Sequence, residues 1–254
     1  MLEKIDTRRA LAKDKYQERM RPLQRRLFEL QRACWEGGVG VVVVFEGWSL
    51  SGKGAIIKKI TERLEPRAFE IHPMFAPRTH ELPLPWLYRF WRRLPVYGGM
   101  AVFDHAWHQV VVDGYVHGSL SDAERGRRFE DINAFERALS DDRYVVVKFF
   151  LQITEEEQAR RIEKLGADEA TRWRIADRDW EEHRSYGAHL VAFEEVLART
   201  ETEWAPWTIL EAHDRRWARV KLLDTMIARL EDELASRGVD SSTAEDEGGD
   251  DDAR

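Results

Sequence analysis

Residues 41–54 read VVVVFEGWSLSGKG. Four consecutive valines followed by a phenylalanine suit a strand inside a parallel sheet, where helices cover both faces and no alternation with polar residues is needed. The strand runs directly into Gly47-x4-Gly52-Lys53, the spacing of a phosphate-cradling P-loop. In such a loop successive backbone N–H groups point at phosphate oxygens, glycine permits close approach, and the following helix presents its positive N-terminus. The stretch therefore predicts phosphate or nucleotide binding by Gly47, Ser49, Ser51, Gly52, Lys53, Gly54 and Ala55, with Lys53 as a point charge on the β- and γ-phosphates. Position 54 departs from the pattern. A P-loop normally offers a Ser or Thr hydroxyl to Mg²⁺ there, and glycine has none, so a metal must find its ligands elsewhere.

Outward from this motif, strands alternate with helices. Tyr16, Met20, Leu23, Leu27, Leu30 and Cys34 recur at steps of three and four and predict an amphipathic helix over 14–35. Phe69–Met74, Met100–Asp104, Tyr144–Ile153 and Trp207–Ala212 read as further strands. Helices are expected from Lys53, around Phe129–Leu139, from a Thr154-x-x-Glu157 capping box to Leu165, and over 214–236, with helical character in the Pro-punctuated segment 77–95. Residues 168–200 read as entirely helical. The alternation implies an α/β fold with a central parallel sheet covered on both faces.

The chain has 254 residues, 43% hydrophobic and 34% charged, which suits one α/β domain. The expected division is an N-terminal helix over 1–38, the main domain over 39–240 and a tail over 241–254. That tail carries six acids and one base, contributing −5 of the net −7, and is expected to be disordered. No apolar run approaches a membrane span and the N-terminus is charged from the start, so a cytoplasmic protein without membrane contact is expected. The near-neutral body does not call for a nucleic-acid partner. The single Cys34 permits no internal disulfide.

A phosphotransfer site needs an acid at the end of a neighbouring strand to hold Mg²⁺. Asp104, closing MAVFD, is the candidate, and its competing role is a helix N-cap. His105 and His108 follow; two histidines without further ligands read as polar surface or edge residues rather than a zinc pair.

FEGWSLSGKGAIIKKI, LYRFWRRLP, GGMAVFDHAWH, FEDINAFERALSDDRYVVVKFFLQITEEEQ and TEWAPWTILEAHDRRWARVKLLDTMIARLE together resemble the polyphosphate kinase type 2 family over about residues 11–230, most closely its polyphosphate:AMP phosphotransferase branch. The resemblance implies a three-layer P-loop kinase fold with a helical lid over 168–200. It implies transfer of a phosphoryl group between inorganic polyphosphate and a nucleotide of the AMP/ADP class, with Mg²⁺ on Asp104, and either a homo-oligomer or pairing with a homologous subunit. Lys53, Asp104 and His105 then become the catalytic candidates, and Lys58, Arg89, Arg92 and Arg93 the polyphosphate path around the P-loop mouth.

Several positions depart from the family pattern. Ser49 stands where the family has Asp, and in the Asp/Asn-Arg-Ser-Trp-Tyr motif the Arg, Ser and Tyr are His105, Ala106 and His108. A Gly-Arg pair is Gln109-Val110, a Glu-Arg pair is Gly114-Tyr115, and a lid Tyr-Asp-x-Tyr is Tyr186-Gly187-Ala188-His189. These losses of charge lead to the expectation of reduced transfer. Two alternatives stand beside it: a catalytically impaired pseudo-kinase that binds polyphosphate or nucleotide, and a P-loop kinase for another small acceptor.

Overall fold

The computed structural model describes residues 1–241, and the rest of the acidic tail lies outside the described residues. In chain order the elements are α1 (Lys13–Gly37), β1 (Gly40–Gly47), α2 (Lys53–Thr61), β2 (Phe69–Pro73), α3 (Tyr88–Trp91), β3 (Met100–Asp104), α4 (Trp107–Val116), α5 (Asp122–Asp141), β4 (Tyr144–Gln152), α6 (Glu155–Ala167), α7 (Glu169–Arg172), α8 (Asp177–Arg184), α9 (Tyr186–Arg199), β5 (Trp207–Glu211) and α10 (Arg215–Ser236). The five strands form one parallel sheet in the order β2-β3-β1-β4-β5. All eight residues of β1 are buried, as the valine run requires of a central strand. Its Val41–Phe45 segment pairs with Met100–Asp104 of β3, while Gly40–Gly47 pairs with Tyr144–Leu151 of β4. The chain leaves β1 toward β2 on one side of the sheet and leaves its neighbour β4 toward β5 on the other, so the crevice beyond the C-terminal end of β1 is where an open α/β sheet places its ligand.

Helix α1 packs against α10, and its Met20, Leu27, Leu30 and Cys34 join the same core as β1. Among the described residues, no helix is long and apolar enough to cross a membrane.

The structure refines several predicted elements. The Pro-punctuated 77–95 segment forms only the four-residue α3, because each proline lacks a donor and constrains the residue before it. The 168–200 region is three helices, interrupted over residues 173–176 and at Ser185. Thr154 does cap α6, its hydroxyl accepting from Glu157 N–H at 3.3 Å, but the Glu157 carboxylate turns to Arg160 and Arg161 instead of completing the box. The reciprocal box is at Ser121 and Glu124, opening α5.

Candidate phosphate site

Gly47 ends β1 with φ +121°, and a Cβ there would stand 2.4 Å from the Leu151 carbonyl oxygen. Only glycine fits both the torsion and the approach. The loop turns through Leu50, itself left-handed at φ 60°, and Gly52 at φ 103°, and α2 starts at Lys53. Arg161 of α6 holds this turn from outside: it donates to the Leu50 and Ser51 carbonyls at 2.9 and 2.7 Å and to the Ala212 carbonyl beyond β5 at 2.6 Å. Trp48 is fixed by stacking on Tyr186 at 3.9 Å and by donating to Gln152 at 2.7 Å. The loop is thus clamped to two strands and to the lid.

Lys53 is buried and donates to the Gly47 and Trp48 carbonyls at 2.6 and 3.1 Å. Burial pushes its ammonium below the ordinary value, and the nearby carboxylates of Asp104 and Glu182 oppose that shift. Asp104 closes β3 and does not cap α4, whose N-cap is Ala106. Its Oδ1 is buried without a hydrogen-bond partner. Ser51 Oγ is likewise buried and unpartnered, and the space where a Cβ on Gly54 would project is open.

His105 and His108 are not surface residues: both are buried, since the strand end and α4 fold under the lid. His105 adopts φ +62°, and its Nδ1 lies 3.0 Å from Glu46 Oε2 while Ala106 N–H donates to Glu46 Oε1 at 2.8 Å. Burial, reinforced by the Lys53 charge, pushes the His105 imidazole from 6.5 to about 3. Beneath it, His108 Nε2 lies 3.0 Å from Glu136 Oε1, and Lys148 in the middle of β4 donates to Glu136 Oε2 at 2.7 Å. Burial alone would raise the Glu136 carboxyl, but the Lys148 ammonium and His108 outweigh it and hold it low. Burial pushes His108 down as well.

These neutral histidines give a pH signature. With folded values below the unfolded 6.5, the unfolded chain binds more protons, so stability is present above about pH 6.5 and is lost as pH falls toward about 3. His105 alone should cost about 2 kcal/mol at pH 5 relative to pH 7. Melting temperature measured from pH 8 to pH 5 should fall, and His105→Gln should flatten the fall. A flat profile in the natural chain would refute the assignment of neutral buried imidazoles.

The site opens into a cavity of about 410 Å³ lined by Ser49, Phe75, Arg89, His105, Gln109 and Arg178, among others. The sequence-predicted residues are thereby sorted. Ser49, His105 and Arg89 line this cavity, the Arg89 guanidinium donating to Phe75 O at 2.8 Å and standing 3.5 Å from Glu81, while Lys53 is buried behind it on the Gly47 carbonyl and close to Asp104. Gly54, Ala55 and Lys58 share the exposed face of α2. Of the expected gathering of Lys58, Arg89 and Arg93 at the P-loop mouth, the fold brings Arg89 and Arg93 to one carboxylate, Glu81, at 3.5 and 3.4 Å, and leaves Lys58 on the exposed face of α2. Arg92 and Arg93 line a separate cavity of about 260 Å³ with Phe69 and Met100, at the starts of β2 and β3, because the chain turns back after α3.

Sequence reasoning missed Glu46, Arg161, Arg178 and Glu182. Glu182 of α8 accepts from Ser49 N–H at 2.6 Å and from Gln158 at 2.8 Å, placing a lid carboxylate against the loop backbone. The one available signal was spacing: Arg178 and Glu182 stand four apart and so share a face of α8.

Residues 10–238 match the family pattern described as Polyphosphate kinase 2 (PPK2). A polyphosphate:AMP phosphotransferase of Pseudomonas syringae pv. tomato is 36% identical over 92% of this chain and 47% of its own length. ADP-polyphosphate phosphotransferase 3 of Rhizobium meliloti is 31% identical over 85% of this chain and 76% of its own. The crystal structure of polyphosphate kinase 2 from Arthrobacter aurescens TC1, 24% identical, superposes with a TM-score of 0.89 over 96% of this chain and 88% of that one, and shows the same fold. The chain spans about half the length of the Pseudomonas relative. With its parallel sheet, glycine-bounded loop, buried lysine and strand-end aspartate all in the matching span, this chain belongs to the polyphosphate kinase 2 family.

Proposed function

We propose that the protein is a polyphosphate:nucleotide phosphotransferase that moves a terminal phosphoryl group between polyphosphate and an AMP- or ADP-class nucleotide. The observation that carries this reading is the meeting of the buried Lys53, the glycine-bounded loop and the unpartnered Asp104 oxygen at the C-terminal ends of the neighbouring strands β1 and β3, beside the cavity that Ser49 and His105 line. Lys53 and the amides of residues 47–54 hold phosphates, and Arg89, on the cavity beside the loop, with Lys58 on the exposed face of α2, steers the polyanion by charge. Among the described residues no cluster of three or more His, Cys, Asp or Glu side chains could hold a metal. Mg²⁺ takes one or two carboxylates and completes its shell with phosphates and water; Asp104 would hold it, and it would neutralise charge on the transferred group.

Phosphoryl transfer gives a protein little covalent work, so the chain's part is to align donor and acceptor, exclude water and place positive charge where it develops. Ser49 weakens this apparatus relative to the family's aspartate, and the Glu182 carboxylate on its amide adds an anion beside the phosphate position. These two features favour the second reading, a slow or silent polyphosphate-binding pseudo-kinase. Purified protein with Mg²⁺, polyphosphate and each of AMP, ADP, GMP and GDP, followed by nucleotide separation, decides between them. Polyphosphate-dependent product supports transfer. Binding without product supports the pseudo-kinase, and neither would overturn both.

A further inference from the structure

The motif position that carries an arginine in the resembled family is His105 here, yet a guanidinium still reaches it. Arg178 stands on the first turn of α8 and lines the same cavity as Ser49 and His105, with a terminal nitrogen 3.1 Å from His105 Nε2. A guanidinium can only donate, so Nε2 accepts and the ring proton sits on Nδ1, which donates to Glu46 Oε2 at 3.0 Å. Glu46 is itself held by the Ala106 N–H at 2.8 Å. Backbone, carboxylate, imidazole and guanidinium form one chain of contacts that begins in β1 and ends in the lid. Each member fixes the orientation of the next. The other N–H groups of Arg178 have no protein partner among the described residues and remain available to a ligand. The side chain is exposed on the lid, which is an unusual place for so specific a contact with a buried imidazole.

We propose that Arg178 is a catalytic residue of this chain, delivering from the lid the phosphate-facing cation that position 105 lacks, with His105 as the positioning residue that aims it. This rests on the phosphotransferase reading above. In the transfer itself one P–O bond to polyphosphate breaks and one P–O bond to the acceptor nucleotide forms. Arg178 takes no proton and donates hydrogen bonds to the transferred phosphoryl oxygens, whose charge grows in the transition state. Planar donors in a fork suit those oxygens better than an ammonium does. Because the guanidinium rides on α8, the site gains this cation, beside Lys53 and Arg89, only with α8 in place over the cavity, so charge completion and water exclusion arrive together.

The test compares the natural chain with Arg178→Ala, Arg178→Lys and the double variant Arg178→Ala with His105→Arg. It reads tripolyphosphate affinity by calorimetry and polyphosphate-dependent transfer to nucleotide. Arg178→Ala should lower kcat on the order of 10² to 10³ with a much smaller change in the nucleotide KM, and Arg178→Lys should recover part of the loss. In the double variant, arginine at 105 should restore at least a tenth of the natural kcat, because it places a guanidinium at the vacated point. Equal kcat in Arg178→Ala and the natural chain would overturn the proposal, as would a loss in the double variant no smaller than in Arg178→Ala alone. A natural chain that neither binds tripolyphosphate nor transfers phosphate would overturn the phosphotransferase reading, and this proposal with it.

Discussion

Lys53→Ala is expected to weaken tripolyphosphate binding by about 1.5–3 kcal/mol, the range for a hydrogen bond to a charged group. Turnover, where measured, should fall further, on the order of 10² to 10³, because the ammonium also meets charge that develops during transfer. The structure sharpens the reason. Lys53 is buried, with Gly47 and Trp48 carbonyls as its only direct hydrogen-bond partners among the described residues, and burial already lowers its affinity for the proton. A phosphate brings negative charge into direct contact with the ammonium, which its two carbonyl partners do not, so the lysine gains more from the ligand than from its own backbone. Calorimetry reads the affinity directly. Tripolyphosphate binding in Lys53→Ala equal to that of the natural chain would remove the phosphate loop from the mechanism.

Lys148→Met should destabilise the fold by about 3–5 kcal/mol, the cost of leaving one member of a buried ion pair without its partner. Glu136 would then be buried against His108 and Trp107 alone, and the Thr200 carbonyl, which accepts from Lys148 at 2.6 Å, would lose its donor. For a chain of this size the loss corresponds to a fall of about 6–20 °C in melting temperature. Lys148→Met combined with Glu136→Leu should recover much of the loss, since removing both charges avoids the unpaired carboxylate. Urea titration measures both variants. A single variant that melts within about 2 °C of the natural chain would show that the pair contributes nothing.

The pair also shows where sequence patterning stops. The apolar run in YVVVKFFLQ makes residues 144–152 a buried strand, and the lysine inside it reads as a break in the pattern. Its partner lies on α5, where Glu136 occupies a position that helical spacing assigns to the core beside Ile132 and Leu139. Neither residue predicts the other, because the contact depends on how α5 crosses the sheet. The same holds at Glu46. It sits within the phosphate motif, yet its service to His105 and Ala106 follows from β1 and β3 being neighbours in the sheet.

Local sequence by itself determined the elements whose signals are local: the valine strand, the glycine-bounded loop, the lysine opening α2, the strand that ends in Asp104 and the long amphipathic α1. Those signals are hydrophobic period, torsional demand and hydrogen-bond donors along a continuous stretch, and they need no knowledge of the rest of the chain. Only the tertiary structure decided which charges share a site. It buried His105 and His108, separated Arg92 and Arg93 from the loop, set Glu182 against the Ser49 amide and brought Arg178 to the imidazole. The physical reason is that a charge acts through space: its partner is chosen by strand order and by the placement of the lid helices, and a contact between residues 73 positions apart leaves no period in the sequence from which to read it.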